Sequence, residues 1–227
     1  MSNVVTTRTL SEAESKSLLA AYDLPFATEV VVPTALDAAD AADRLGYPVV
    51  VKLNGARIAH KTERGLVRLA LRDRDAVLDA ASALLAAARP DDGHVSLLVA
   101  QQVRGARELI VGVVRDPQFG PAVMLGLGGV LAEVIGDVAF RLAPLTRLDA
   151  DELVDDLAAK RVLGPFRGEP AIDRDALAAV LLGLSRLAAE RADIESVDIN
   201  PLIVCDGLPI AVDALVELRV VEQGSPQ

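Results

Sequence analysis

The sequence predicts an α+β fold in more than one layer. Helical and β-branched segments are mixed without the strict alternation of a βαβ chain. Gly136-Asp137 and Asp206-Gly207 each sit between apolar runs and signal hairpins. Leu66 to Leu71, LVRLAL, alternates with period two, which suits a half-buried antiparallel strand.

Each element has a local reason. Ser11 with Glu14 three residues on is a capping box, opening a helix to about Ala21. Asp37 to Leu45 is a second helix, stopped by Gly46 and Pro48. Pro48 to Leu53 is a β-branched strand, and Glu63-Arg64-Gly65 is the turn before LVRLAL. Arg74 to Ala88 is an Ala- and Leu-rich helix. Val95 to Val103 and Leu109 to Val114 are strands, with Asp116-Pro117 a turn. Ala122 to Leu125 is a short strand leading into GLGG, Gly126 to Gly129. Leu131 to Pro144 reads as paired strands around Gly136-Asp137. Asp149 with Glu152 reads as a capping box for a helix to about Lys160, and Asp173 to Arg191 as a long helix. Ser196 to Val204 and Leu208 to Asp213 are strands, and the tail after Val221 is expected to be disordered. A composition change near Arg104-Gly105 marks the best boundary between two subdomains, with a ligand cleft expected between them.

Composition removes several function classes. No apolar run among the 227 residues reaches the roughly 18 that a membrane helix needs. MSNVVTTRTL lacks an apolar signal core, so a cytoplasmic protein is expected. The single Cys205 excludes an internal disulfide and a cysteine-built zinc site. A net charge of -10 without a basic patch opposes binding to nucleic acid or acidic membranes. Aromatics at 3% and no Trp argue against base-stacking platforms.

The candidate chemistry starts at the Asp206-Gly207 turn. A two-residue turn there puts Cys205 opposite Leu208, Ile203 opposite Ile210 and Asn200 opposite Asp213. An amide oxygen and a carboxylate so paired can share one hard cation, and magnesium with substrate phosphates takes only one or two protein carboxylates. Asp198, two residues back on the same face, adds another. Solvated polar residues at a strand end are the plainer alternative. GLGG is not a dinucleotide fingerprint, because Leu131 stands where the last Gly belongs, and no Gly-Lys is present for a Walker A loop. Gly128 and Gly129 can still offer backbone N–H groups to a phosphate, or simply form a tight strand exit.

Only four of the 23 Lys and Arg are lysine, and Lys52 and Lys61 fall within ten residues of each other. Lysine is a compact point charge suited to a phosphate in a pocket. Lys52 ends a buried-looking strand, so its ammonium requires a partner: a phosphate or a structural carboxylate. His60 is a ligand, a phosphoryl carrier or a surface residue, and His94 beside Asp92-Gly93 is loop surface. Cys205 reads as a small hydrophobe, and no serine lies in a nucleophile elbow.

Several motifs occur in one order: GYPVVVKL, IAHKTERGLV, ARELIVGVVRDPQFGPAVMLGLGG, VAFRLAPLT, VDINPLIV and AVDALVEL. From about Leu10 to Leu218 the chain resembles the ATP-grasp β subunit of ADP-forming acyl-CoA synthetases, relatives of succinyl-CoA synthetase. The resemblance implies a single ATP-grasp domain over residues 1–227. One subdomain is expected at about 24–103, and the other at about 10–23 plus 104–220. ATP or ADP with Mg2+ is expected between them. It implies that Lys52 touches nucleotide phosphates, Glu108 binds ribose, and Asn200 and Asp213 hold magnesium. Val99 to Val103 matches the adenine-reading hinge. Ala100 stands where the family often has Glu or Gln, leaving adenine to backbone groups, including Val103, or to Gln101 and Gln102. His60 matches a histidine that relays a phosphoryl group, with Lys61 neutralising charge beside it. The resemblance also implies a separate CoA-binding α subunit, in an α2β2 assembly acting on a small carboxylic acid.

Overall fold

The computed structural model describes residues 5–58, 61, 63–129 and 136–221. In chain order the first elements are β1 (Val5–Thr9), α1 (Glu12–Ala20), β2 (Glu29–Val32), α2 (Ala35–Leu45), β3 (Val49–Asn54) and β4 (Val67–Leu71). Then come α3 (Arg74–Ala86), β5 (Ser96–Gln101), β6 (Arg107–Asp116), β7 (Gly120–Leu127) and β8 (Val138–Leu142). The last are α4 (Arg147–Asp155), α5 (Arg174–Glu190), β9 (Ile194–Cys205), β10 (Leu208–Ala211) and β11 (Leu215–Val221). The α+β class holds.

The chain forms two compact units. Ser11–Glu14 and Phe26–Val103 make one; Met1–Leu10, Ser15–Pro25 and Arg104–Gln227 make the other. The smaller unit has a four-stranded antiparallel sheet in the order β2-β5-β3-β4. Helices α2 and α3 pack on it, and Ala38, Ala42, Val51, Leu53, Val77, Ala81, Leu84 and Leu97 are fully buried there. Alanines on α2 let that helix approach closely, which explains the Ala-rich sequence. The larger unit has a seven-stranded antiparallel sheet, β1-β11-β9-β6-β7-β8, with β10 also on β9. Helix α5 covers one face, burying Leu177, Leu181 and Leu184 against the layer that holds Leu109, Leu125 and Leu202.

Local signals were met and corrected in turn. The Ser11 capping box forms: Ser11 N–H donates to Glu14 Oε2 at 2.8 Å, and Glu14 N–H to Ser11 Oγ at 3.3 Å. Helix α2 starts earlier than Asp37, because Thr34 is its cap and accepts the Asp37 N–H at 3.1 Å. Asp149 does not open α4. Thr146 does, and the Asp149 carboxylate accepts the Thr146 N–H at 2.7 Å as the returning arm of the box. A hydroxyl three residues before an acid was the stronger signal. The expected strand pair around Gly136-Asp137 lies partly outside the described residues, and β8 pairs with β7. Strands β1, β2 and β11 lacked a recognised signal. The Asp206-Gly207 turn forms as predicted, both residues at positive φ, with Cys205 opposite Leu208 and Ile203 opposite Ile210.

Candidate functional site

In the smaller unit, Lys52 lies on β3 between Val67 and Leu98 and is 6% exposed. Its Nζ donates to Glu12 Oε1 at 2.7 Å. Lys61 Nζ donates to the other oxygen, Oε2, of the same carboxylate. Glu12, in the first turn of α1, is itself 3% exposed. An ammonium leaves water only with a partner, and here one carboxylate serves two. The trio carries one net positive charge, which suits the oxygens of a phosphate. Ala13 N–H donates to Asn54 Oδ1 at 3.2 Å, tying the first turn of α1 to β3. Sequence reasoning missed Glu12, whose partners lie 40 and 49 residues away. His60 lies outside the described residues. The segment after it is anchored: Leu66 N–H donates to the Lys61 carbonyl at 2.8 Å, and Arg64 forks onto both Asp92 oxygens at 2.8 Å each.

The end of β5 carries the predicted base-reading residues. Gln101 uses its side-chain amide to donate to the Leu45 carbonyl at 2.8 Å, closing the end of α2. Gln102 N–H donates to the Pro48 carbonyl at 3.2 Å. Its Oε1 is buried without a hydrogen-bond partner among the described residues, the state of an acceptor awaiting a donor. Ala100 is buried in the sheet, and Val103 is half-buried after it. His94 is exposed, as a loop surface residue should be.

In the larger unit, β9 is one long strand facing an interrupted one. Ala211 opposes Leu202 before the break, and Leu215 opposes Asp198 after it, in one unbroken register. Val212 N–H donates to the Pro201 carbonyl at 3.3 Å inside the break. The register therefore sets Asn200 opposite Asp213. Asp198 and Asn200 are exposed, alternating with buried Val197 and Ile199. Surrounding atoms first, and the negative charge of Asp213 second, push the Asp198 carboxyl above the usual range. Two carboxylates that feel each other, beside an amide, make an all-oxygen donor set suited to a hard divalent cation. Among the described residues no three His, Cys, Asp or Glu side chains converge. A cation held by so few protein ligands would need others from phosphate or water, as magnesium typically does.

The third group is Glu108 with the glycine loop. Gly128 N–H donates to the Glu108 carbonyl at 2.7 Å. A Cβ on Gly128 would lie 3.0 Å from the Glu108 backbone carbon, so glycine is what lets this loop close onto β6 without displacing that strand. Gly129 adopts a positive φ of 82° and lies beside Glu108 Oε2. The Glu108 side chain is exposed. The structure thus gathers Lys52 with Lys61, Glu108 with Gly128 and Gly129, and Asp198 and Asn200 with Asp213. It turns the Gln101 amide to a structural task.

The ATP-grasp domain family matches residues 5–218 of the chain. The chain belongs to that family. The ATP-grasp assignment extends to a branch. An acetate–CoA ligase (ADP-forming) I subunit beta of Pyrococcus furiosus is 37% identical over 210 residues, 91% of this chain and 90% of that one. The longer acetate–CoA ligase (ADP-forming) I of Archaeoglobus fulgidus is 38% identical over 88% of this chain but only 30% of its own length. Among solved structures, acetyl-coenzyme A synthetase 1 of Ca. Korarchaeum cryptofilum, in complex with coenzyme A, Ca-AMPCP and HgCl+, has a TM-score of 0.88 at 32% identity. The match covers 93% of this chain and 94% of that one. The same protein with coenzyme A and Mg-AMPPCP, its phosphohistidine segment pointing towards the nucleotide binding site, has a TM-score of 0.81 at 34% identity, covering 93% of each chain. This ATP-grasp chain groups with the ADP-forming acetate–CoA ligase β subunits.

Proposed function

We propose that the chain is the nucleotide-binding β subunit of an ADP-forming acyl-CoA synthetase. The reaction is acid + CoA + ATP ⇌ acyl-CoA + ADP + phosphate. The observation that carries this reading is the end-to-end match, covering 91% of this chain and 90% of the relative, to a β subunit of an ADP-forming acetate–CoA ligase. A β subunit implies an α partner. The finer reading is that this partner binds CoA, selects the acid, and joins in an α2β2 assembly.

Residue roles follow from the chemistry available. Lys52 attracts nucleotide phosphates, with Lys61 completing the positive trio. Gly128, its N–H held by the Glu108 carbonyl, shapes the loop from which Gly129 offers its backbone N–H to phosphate, and Glu108 accepts from ribose hydroxyls. The free Gln102 oxygen suits the exocyclic amine of adenine, with Gln101 and Val103 shaping the end of the strand. Asp213, Asn200 and Asp198 would hold Mg2+, which would supply charge neutralisation to the phosphates. His60 carries the phosphoryl group in transit. In the ATP-forming direction the P–N bond breaks and a P–O bond forms to the terminal phosphate of ADP. The freed ring nitrogen takes up a proton.

Calorimetric titration tests the reading. ADP and ATP are titrated with Mg2+ and then with EDTA, into the chain alone and into the chain with its α partner. Magnesium-dependent binding that Asp213→Ala weakens is expected. Absence of binding in both preparations would refute it.

A further inference from the structure

Lys16 is a buried lysine outside the Glu12 trio. It is 3% exposed, and its Nζ donates to the Val212 carbonyl at 3.0 Å. Val212 opens the break between β10 and β11, and Asp213 is the next residue. Ser15, beside Lys16 on α1, is fully buried, and its Oγ accepts the Val216 N–H at 3.1 Å. Helix α1 therefore grips the interrupted strand on both sides of Asp213. Within the break, Asp213 Oδ1 accepts the Ala214 N–H at 2.9 Å, which restricts rotation of the carboxylate. Inside the break the Val212 N–H still reaches the Pro201 carbonyl at 3.3 Å, and Lys16 adds a side-chain donor on the Val212 carbonyl. A charged donor on the carbonyl is stronger than a neutral one.

We propose that Lys16 is a positioning residue for the cation site: by pinning the Val212 carbonyl it fixes the Val212–Ala214 break so that Asp213 meets Asn200. The inference rests on the nucleotide–magnesium reading above. Lys16 sets where the carboxylate stands and does not itself touch the cation.

The test uses the chain with its α partner and measures ADP binding as MgCl2 is raised, alongside thermal unfolding. Lys16→Met raises the Mg2+ concentration for half-maximal binding about tenfold, as expected for loss of a charge-assisted hydrogen bond. Lys16→Arg stays near wild type, and residual ADP binding in EDTA is unchanged in both. A lowered melting temperature with an unchanged Mg2+ requirement overturns the proposal, leaving Lys16 a stability element. A lowered Mg2+ requirement in Lys16→Met also overturns it, because charge repulsion then outweighs positioning. Should Lys16→Met fail to fold, Lys16→Gln against Lys16→Arg decides, with only the glutamine variant expected to need more Mg2+. Wild type without any Mg2+ dependence refutes the nucleotide–magnesium reading itself, a result separate from any difference among variants.

Discussion

Glu12 Oε1 accepts Lys52 Nζ at 2.7 Å, with the two side chains only 1% and 8% exposed. The other carboxylate oxygen takes Lys61. Removing the acid leaves two ammonium groups without it in a dry setting. Glu12→Ala should cost about 3–5 kcal/mol of stability, read by urea unfolding. Lys52→Met should cost less, since Glu12 keeps Lys61. Equal, sub-kilocalorie effects would mean that water reaches the trio.

The Arg64–Asp92 pair has a pH signature. The Arg64 guanidinium, then the Arg89 N–H, hold the Asp92 carboxyl down at about 2, against an ordinary 3.8. A depressed carboxyl adds stability that is fully present above the unfolded value and lost as pH falls through the folded one. Wild type should therefore lose stability between about pH 4 and pH 2. Asp92→Asn should be less stable at neutral pH and show a shallower acid slope in that window, measured by unfolding curves across it.

Gly112 sits on β6 between Met124 and Asp198. A Cβ there would meet the Val197 carbonyl oxygen at 2.3 Å, a backbone atom that cannot swing aside. Gly112→Ala should destabilise by about 1–3 kcal/mol and lower the melting temperature by several degrees. An unshifted melt would show that β6 and β9 part easily.

For His60, the expected outcome separates chemistry from binding. His60→Ala in the reconstituted complex should abolish acyl-CoA synthesis and leave ADP affinity within about twofold, because an imidazole nucleophile has no substitute. Retained turnover would remove it from the phosphoryl path.

Much of this was legible in the sequence because the signals were local. Asp206-Gly207 can form a tight turn at positive φ, and the register it sets ran true through Ile203–Ile210. Ser11 and Glu14 are three residues apart, so their capping box is visible without a fold. What escaped were relations across distance. Glu12 reads as a helix-start acid until Lys52 and Lys61 arrive from other elements. Lys16 carries no local signal, because its partner, the Val212 carbonyl, lies 196 residues away. Gln101 reads as a candidate adenine contact until α2 ends at its side-chain amide. Strand β11 was missed because its ladder with β1 joins residues more than 200 positions apart, such as Thr7 and Arg219. Thr146 was overlooked for a nearer acid, although its hydroxyl held the better claim.

The unbroken register from Leu208 to Glu217 makes the gap between β10 and β11 a counted spacer. The residues at 212 and 214 can change in kind, within their packing, and Asp213 keeps its place opposite Asn200. They cannot change in number. One residue more or fewer would turn every side chain of β11 to the opposite face, burying what should be wet and moving Asp213 out of step. The hairpin tip at 206–207 has no slack either: Gly207 is buried, and its carbonyl accepts the Asp173 N–H at 2.8 Å. Insertions and deletions should therefore avoid both the tip and the gap five residues beyond it.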